Sequence, residues 1–416
     1  MSYTKLSLDK ATLHIYKTTK FKKISIDVII SDYVNETNLS YRSLLARCME
    51  SKSKMYDSKK KISRKLDMLY GANFGIASLK IGKVCYLDAS IDGVNPKYVG
   101  DSNLFNDFFA FLNEMLFNPM LDKENLTEEK RLLFDDYKAE YENKTILSVI
   151  RSNEIAFKNE LARFKTNGEE EIVKTITVKA LNEYYNYMIN NNKVDIVIVG
   201  DVDDDVIDIV KKYLDFGVKM DLNPIDYEEK DLVKEEIVKE KAKSRQSQLV
   251  IKYRNYTRKN DKDFYALVLG NTIFGGFSSS LLFMNVREKN SLSYSISSTN
   301  ALYKGCTTVT AGINAINYDN AVSLINEQLN DMKTGNFSDE LLEMARLSLI
   351  SSIKKGSDSL GSIVRCIYVS ELLKTKFNIY EGIEELKNLT KDDVVKVFNK
   401  FKTDVIYFLE GCDSVE

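Results

Sequence analysis

Two long apolar runs, one near the middle of the chain and one near its end, have a similar order of hydrophobic and polar positions. The first begins at Lys193 and reads Lys-Val-Asp-Ile-Val-Ile-Val-Gly-Asp. The second begins at Lys402 and reads Lys-Thr-Asp-Val-Ile-Tyr-Phe-Leu-Glu-Gly-Cys-Asp. Apolar runs of this kind are typical of buried strands. Each run follows a helix-like segment, 178–189 for the first and 391–401 for the second. The chain is therefore predicted to contain two modules that end in the same way.

Each of these endings is preceded by a pair of segments in which polar and apolar residues alternate. Such alternation predicts strands with one face toward a core and one toward solvent. The segments are 74–80 and 84–91 in the first half and 292–299 and 307–313 in the second. With the helices between them they predict an α+β fold, a duplicated module in which each half has a mostly antiparallel sheet covered by helices.

Two helices of the first half are indicated by their periodicity and by their ends. Segment 104–116 is apolar on nearly every side, which predicts a deeply buried helix that stops before Pro119. The next helix is predicted to begin at Thr127, because threonine followed by glutamates suits an N-cap and the positive end of a helix dipole.

A change of composition separates the two halves. Segment 217–246 contains Pro224 and a run of mixed charges. This composition predicts a solvated linker. The spacing of Glu and Lys favours a helix in part of it. The alternative is that the segment is a binding tail. The predicted modules are therefore residues 1–216 and 247–416.

Length and composition indicate a globular protein with more than one core. The chain has 416 residues, 44% hydrophobic and 11% aromatic, which is more than one core usually holds. Lys and Arg number 59 against 61 Asp and Glu, and no long block of one sign is evident. Neither nucleic acid nor a membrane is therefore an expected partner.

The chain shows no secretory signal pattern and no window of about 18 apolar residues, so a cytoplasmic location is expected. Its five cysteines stand apart without C-x-x-C spacing. They are expected to be reduced and structural, since neither a disulfide framework nor a cysteine zinc site is indicated.

A single histidine limits the chemistry of the chain. His14 lies in an apolar and β-branched run, 12–16, that predicts a strand. Catalytic zinc sites generally use two or three imidazoles, so one histidine cannot build such a site. The sequence favours His14 as a strand residue, near the surface or packed in the core.

Segment 41–49 has the setting of a metallopeptidase motif without its ligands. It is followed by Lys-Met-Tyr at 54–56, an apolar helix at 62–69 and Tyr-Gly-Ala-Asn at 70–73. This order resembles the insulinase, pitrilysin and mitochondrial processing peptidase family, the inverzincins, whose motif is H-x-x-E-H. Aligned in this way, the two histidine positions hold Ser43 and Arg47, and the general-base position holds Ala46.

The resemblance also assigns the third zinc ligand, a glutamate on a later helix. Asp136 takes that position here, or Asp135 if the alignment shifts by one residue. A fixed cation such as Arg47 repels a divalent metal, so no metal site is expected. Arg47 is predicted to occupy the vacated site and pair with Asp135 or Asp136. The alternative is that these charges face solvent on two amphipathic helices.

The second half keeps the family's substrate-binding pattern. A Gly275-Gly276 turn is followed by Arg287 and, seven residues later, Tyr294. The resemblance implies that all four contact substrate. A guanidinium fork suits a peptide carbonyl or a terminal carboxylate, and a phenol can donate to a developing oxyanion.

The resemblance implies that this chain is the zinc-less subunit of a two-subunit bacterial zinc peptidase, with two modules that form a clamp around a peptide. Its partner would be a homologous chain that carries H-x-x-E-H and the zinc, while this chain binds no cofactor. An extended peptide is expected to add as a strand to a sheet edge. The alternative is a self-dimer of the same fold that binds peptide or serves a structural role without cleaving. An enzyme with another nucleophile is disfavoured, because no second histidine can serve as its base.

Overall fold

The computed structural model describes residues 1–225 and 234–412, and eleven strands form within these residues. They are β1 (Ser2–Ser7), β2 (Thr12–Lys17), β3 (Lys23–Tyr33), β4 (Asn73–Ile81), β5 (Val84–Val94), β6 (Lys193–Gly200), β7 (Glu236–Lys243), β8 (Ser247–Arg254), β9 (Ser293–Ala301), β10 (Cys306–Ile313) and β11 (Lys402–Cys412).

The described residues also form fifteen α-helices. They are α1 (Asn38–Ser51), α2 (Lys59–Met68), α3 (Pro96–Val99), α4 (Leu104–Phe117), α5 (Lys123–Glu142), α6 (Lys144–Ala156), α7 (Glu170–Thr175), α8 (Val178–Asn191), α9 (Val206–Leu214), α10 (Phe264–Asn271), α11 (Tyr318–Thr334), α12 (Asp339–Gly356), α13 (Leu360–Leu372), α14 (Ile383–Asn388) and α15 (Lys391–Phe398). Two π-helices, Thr272–Gly276 and Leu282–Lys289, lie in the second half.

The first sheet has six strands in the order β1-β2-β6-β3-β5-β4. All neighbours are antiparallel except β2 and β6, which run parallel. The second sheet has the order β7-β11-β8-β10-β9, and its one parallel pair is β7 and β11. Five strands of each sheet therefore correspond in order and direction, which confirms the predicted α+β fold and its duplication. The two repeated runs are β6 and β11, at matching places.

The chain divides into two compact units. The first comprises 1–137, 164–224 and 356–379, and the second comprises the described parts of 138–163, 225–355 and 380–416. The sequence prediction draws one linker at 217–246. In the structure the chain also passes between the units at α6 and α13, because the apolar face of α6 packs on β8 and β11 while that of α13 packs on β3 and β6.

Part of the predicted linker is a strand. Residues 236–243 form β7, which pairs with β11, while 226–233 of the predicted linker lie outside the described residues. The sequence of β7 shows no clear alternation of apolar and polar residues because it is rich in lysine and glutamate. Charged residues of this kind are common on edge strands. Within β7, only Val238 and Ala242 pack against the hydrophobic cluster that α6 forms with the sheet, which includes Ala156, Phe157 and Val250.

The buried helix predicted at 104–116 is α4, whose phenylalanines Phe108, Phe109 and Phe111 are each at most 1% exposed. The start predicted for the next helix at Thr127 is wrong, because α5 begins at Lys123. The carboxylate of Asp122 accepts a hydrogen bond from the backbone N–H of Asn125 and so caps the helix one turn earlier. Thr127 instead donates its hydroxyl to the carbonyl of Lys123.

Candidate functional site

Helix α1 carries the positions of the lost zinc motif. Its start is fixed by Asn35, whose side-chain oxygen accepts from the backbone N–H of Thr37 and of Asn38 at 3.0 and 2.9 Å. The helix buries six apolar side chains, Leu39, Leu44, Leu45, Ala46, Cys48 and Met49. The residues on its adjacent face line a cavity.

The cavity has a volume of about 810 Å³ and lies within the first unit. Helix α1 contributes Ser43, Ala46, Arg47, Glu50 and Ser51 to its lining. Most of the other lining residues lie on α2, β4 and α5. The three positions that the sequence assigned to the lost motif are therefore together on one wall.

Arg47 forms an ion pair with Asp136, one of the two carboxylates that the sequence offered as its partner. Asp135 pairs instead with Arg131, one turn away on the same helix, at 3.0 Å. Neither aspartate lines the cavity. The carboxylate that α5 places there is Glu129, which the sequence reasoning did not single out.

Glu129 is the most enclosed charge of the cavity, with a side chain 4% exposed. Lys59 Nζ lies 3.0 Å from its Oε1, but that oxygen accepts no hydrogen bond from the described residues. Its position could have been found from the sequence, since Glu129 precedes Asp136 by two helical turns and therefore shares its face of α5.

A zinc ion does not fit these residues. A hydroxyl, a methyl group and a guanidinium replace the two imidazoles and the general base, and Lys59 adds a second cation to the lining. Within the described parts of the chain, no cluster of three or more His, Cys, Asp or Glu side chains has a metal-binding arrangement.

The single histidine serves the sheet of the first unit. His14 lies in β2, is fully buried, and its Nδ1 and Nε2 lie 2.8 Å from the hydroxyl of Tyr3 and 3.3 Å from a carboxylate oxygen of Asp195. Burial alone would raise the pKa of Asp195, but the bond from His14 and the charge of Lys193 hold it below its ordinary value. The prediction of a strand residue is confirmed, in its buried form.

The Gly275-Gly276 turn ends a π-helix, and its two glycines have different surroundings. Gly275 is buried, and a Cβ there would lie 2.6 Å from Ser298 Oγ and 2.8 Å from the backbone N of Ser298. A glycine is therefore required for this turn to approach β9. Gly276 is exposed, and the nearest atom to a Cβ would be the Asn271 carbonyl oxygen at 3.1 Å.

Arg287 lies on the π-helix Leu282–Lys289, and Tyr294 lies on β9, an edge strand. The Arg287 side chain is 41% exposed, its guanidinium is 4.6 Å from the centre of the Phe283 ring, and its Nε is 3.5 Å from Glu288. Tyr294 is 68% exposed. Both side chains are open to solvent, and no hydrogen bond joins them within the described residues.

A local block of positive charge, which was not among the predicted features, lies beside α1 in the sequence. Residues 52–65 contain seven Lys and Arg and a single Asp, a surplus hidden by the near-neutral balance of the whole chain. Five of the seven lie on α2, which borders the cavity, and one of these, Lys59, lines it. The block was detectable from a running charge count.

Searches for similar proteins agree with this geometry. The sequence profile of the family described as "Peptidase M16 inactive domain" matches residues 175–349. "Probable inactive metalloprotease YmfF" of Bacillus subtilis is 30% identical over 416 residues, covering 97% of this chain and 96% of that protein. "Uncharacterized zinc protease YmxG" of the same organism is 23% identical over 274 residues, covering 65% and 66%.

Two solved structures share the fold. A conserved protein from Enterococcus faecalis V583 superposes with a TM-score of 0.91, at 28% identity and with 100% of both chains covered. The peptidase M16 inactive domain from Pseudomonas fluorescens gives a TM-score of 0.82 at 17% identity, covering 100% of this chain and 99% of that one. None of the described helices combines the length and apolar character needed to cross a membrane.

Proposed function

This chain belongs to the peptidase M16 family as an inactive, metalloprotease-like member, and we propose that it is the zinc-less subunit of a two-chain zinc peptidase. The proposed partner is a homologous chain with an intact H-x-x-E-H motif, which binds the zinc and activates water. This chain contributes Arg287 and Tyr294 to the substrate held at that zinc, and Gly275 and Gly276 shape the turn beside them.

The observation that carries the proposal is the contrast between Arg47 and Arg287. Arg47 is held by Asp136 in a cavity that cannot bind zinc. The Arg287 side chain, by contrast, is 41% exposed and contacts only its near neighbours Phe283 and Glu288 among the described residues. Arg287 also lies on a π-helix, a rare conformation that occurs often at functional sites. A side chain that served only in packing would be buried rather than open to solvent.

The chemistry of the pair suits a peptide. An arginine fork can donate two parallel hydrogen bonds to a carbonyl or carboxylate, and the Tyr294 hydroxyl can donate to an oxyanion. Neither group activates water at neutral pH. The pair therefore orients and stabilises substrate, and hydrolysis depends on the partner.

Sheet edges support extended substrate binding. Strand β9 pairs only with β10, and β4 pairs only with β5, so each has one side free of strand partners within the described residues. An extended peptide gains main-chain hydrogen bonds by adding to such an edge. Tyr294 on β9 would then lie beside the bound backbone.

A second candidate is a self-dimer that binds peptide, or serves a structural role, without cleavage. The cavity of the first unit favours it, because about 810 Å³ remains open beside β4 although the zinc ligands are gone. The two candidates differ in whether Arg287 affects turnover.

The test is peptide cleavage by this chain mixed with a homologous H-x-x-E-H chain. We expect the cleavage rate of either chain alone to be lower than that of the mixture. Arg287→Ala should lower turnover by the mixture about 10²-fold, as for loss of a preorganised donor. Lys289→Ala on the same π-helix is the matched control and should leave turnover unchanged. Size-exclusion chromatography checks that both variants still assemble. An unchanged rate for Arg287→Ala in an intact complex would leave only the non-catalytic candidate.

A further inference from the structure

Helix α2 is unusually basic and borders the cavity of the first unit. Its ten residues include Lys59, Lys60, Lys61, Arg64 and Lys65, and only Ile62 among them is buried. Lys59, Ser63 and Leu66 lie on the face that lines the cavity. Successive residues of a helix are about 100° apart around its axis, so Lys60 and Arg64 lie beside the cavity-lining residues Lys59 and Ser63. They are therefore at the rim of the cavity.

The placement of these charges opposes the helix dipole. Three lysines occupy the first turn of α2, where the N-terminus is already positive and carboxylates are normally favoured. The N-cap residue, Ser58, makes no side-chain capping hydrogen bond. The start of α2 therefore concentrates positive potential, and an anionic group bound there would relieve repulsion among the lysines.

Some of these cations are already neutralised. Lys59 lies 3.0 Å from Glu129, Lys61 lies 2.7 Å from Asp57, and Lys52 lies 3.1 Å from Glu124. By contrast, Lys60 and Arg64 are exposed and take part in no ion pair within the described residues. These two side chains are the free anion-binding groups at the rim.

The opposite side of the cavity offers main-chain and side-chain groups to a peptide. Side chains of β4 between 73 and 78 line it, and β4 is an edge strand. The Ser78 hydroxyl oxygen is buried and has no hydrogen-bond partner in the described residues. A backbone running along β4 would therefore meet polar groups there while its side chains reach toward α2.

We propose that the first unit selects acidic peptide segments, with the backbone along β4 and carboxylates on Lys60 and Arg64 at the rim of α2. This inference rests on the proposed function, since it names the class of peptide that the subunit would receive. It assigns the first unit a role in substrate choice, apart from the Arg287 and Tyr294 of the second unit.

A peptide fits these surroundings better than a nucleic acid or an anionic membrane. The same cavity contains the carboxylates Glu50, Asp67 and Glu129, which would repel a closely spaced row of phosphates. A peptide can carry carboxylates only where the free cations lie. Its backbone can also pair with β4, which a phosphate polymer cannot do.

The experiment compares two labelled ten-residue peptides by fluorescence anisotropy with the full chain. One alternates Glu and Thr, and the other has Gln in place of Glu. We expect the Glu peptide to bind about tenfold more tightly, and increasing ionic strength from about 0.05 M to about 0.5 M to reduce that preference. The double variant K60E/R64E should lose it while retaining Gln-peptide binding.

The matched control is K211E/K219E, which makes the same charge change at exposed lysines of the first unit that do not line the cavity. It should keep the preference, and circular dichroism checks that both variants fold. Equal affinities for the two peptides would overturn the inference and leave the proposed function standing. Failure of both peptides to bind would instead count against peptide binding itself. Tighter binding of single-stranded DNA or phosphatidylserine vesicles than of the Glu peptide would also overturn it.

Discussion

The two sheets begin their matching strands, β6 and β11, with the same Lys-x-Asp order, yet the aspartates have different partners. In the first unit Asp195 is fully buried between His14 and Lys193. In the second unit Asp404 accepts from Arg254 at 2.6 Å. The duplication therefore preserved strand order and an aspartate paired with a cation, while the cation that compensates it changed.

The same divergence appears across the polar sheet faces. In the first unit burial raises the pKa of Asp27, with repulsion from Asp88 adding to the effect, and burial raises the pKa of Asp88 to about 7. In the second unit burial lowers the pKa of Lys252 to about 8. The two corresponding sheets thus enclose different ionisable groups, which indicates that charge can change while the fold is kept after duplication.

The largest expected effect comes from the buried arginine of the second unit. Arg254 is 5% exposed and donates to Glu160 at 2.8 Å as well as to Asp404. Arg254→Ala leaves two enclosed carboxylates without their cation, so we expect the free energy of unfolding to fall by about 3–5 kcal/mol. Urea unfolding measures it, and a loss below about 1 kcal/mol would show that the pair is not structurally important.

A smaller effect is expected from Asp88, a half-buried acid on β5 of the first unit. Because the folded-state pKa of Asp88 lies above its unfolded value, its stabilising contribution is fully present below about pH 4 and is lost as the pH rises through about 7. Asp88→Asn should therefore weaken the decline in unfolding free energy between pH 5 and pH 8, by at most about 3 kcal/mol.

Urea unfolding at the two pH values measures that slope. Asp92→Asn, on the same strand, is the control, since Asp92 forms a surface ion pair with Lys23 at 3.0 Å and should leave the slope unchanged. Identical slopes for Asp88→Asn and the unmodified chain would contradict the assignment of a raised pKa.

The smallest expected effect concerns the arginine of the lost zinc motif. Arg47 is 29% exposed and Asp136 is 51% exposed, so their ion pair is screened by water. Arg47→Ala should change the unfolding free energy by less than about 1 kcal/mol, measured in the same urea assay. A loss as large as that for Arg254→Ala would mean that the cavity depends on Arg47 for its fold.

Sequence patterns were sufficient for seven strands, the repeat and the Arg47 partner pair, because each follows from local periodicity or from one motif. They did not predict β1, β3, β7 or β8, and β7 lies in the segment predicted as a linker. They did not predict that α6 packs in the second unit and α13 in the first, since periodicity shows that a helix has an apolar face but not which sheet covers it. The π-helix that holds Arg287 was also missed, because a shift in backbone hydrogen bonding leaves no fixed residue pattern. Glu129 and the basic block at 52–65 are evident in the sequence, but neither belongs to the zinc-ligand pattern on which the site prediction was based.

The most direct test of the central claim is the metal content of the purified chain after incubation with zinc and dialysis, measured by mass spectrometry. With Ser43, Ala46 and Arg47 at the motif positions, we predict no stoichiometric zinc and no peptide hydrolysis by this chain alone. One tightly bound zinc per chain, together with cleavage in the absence of any partner, would contradict the account.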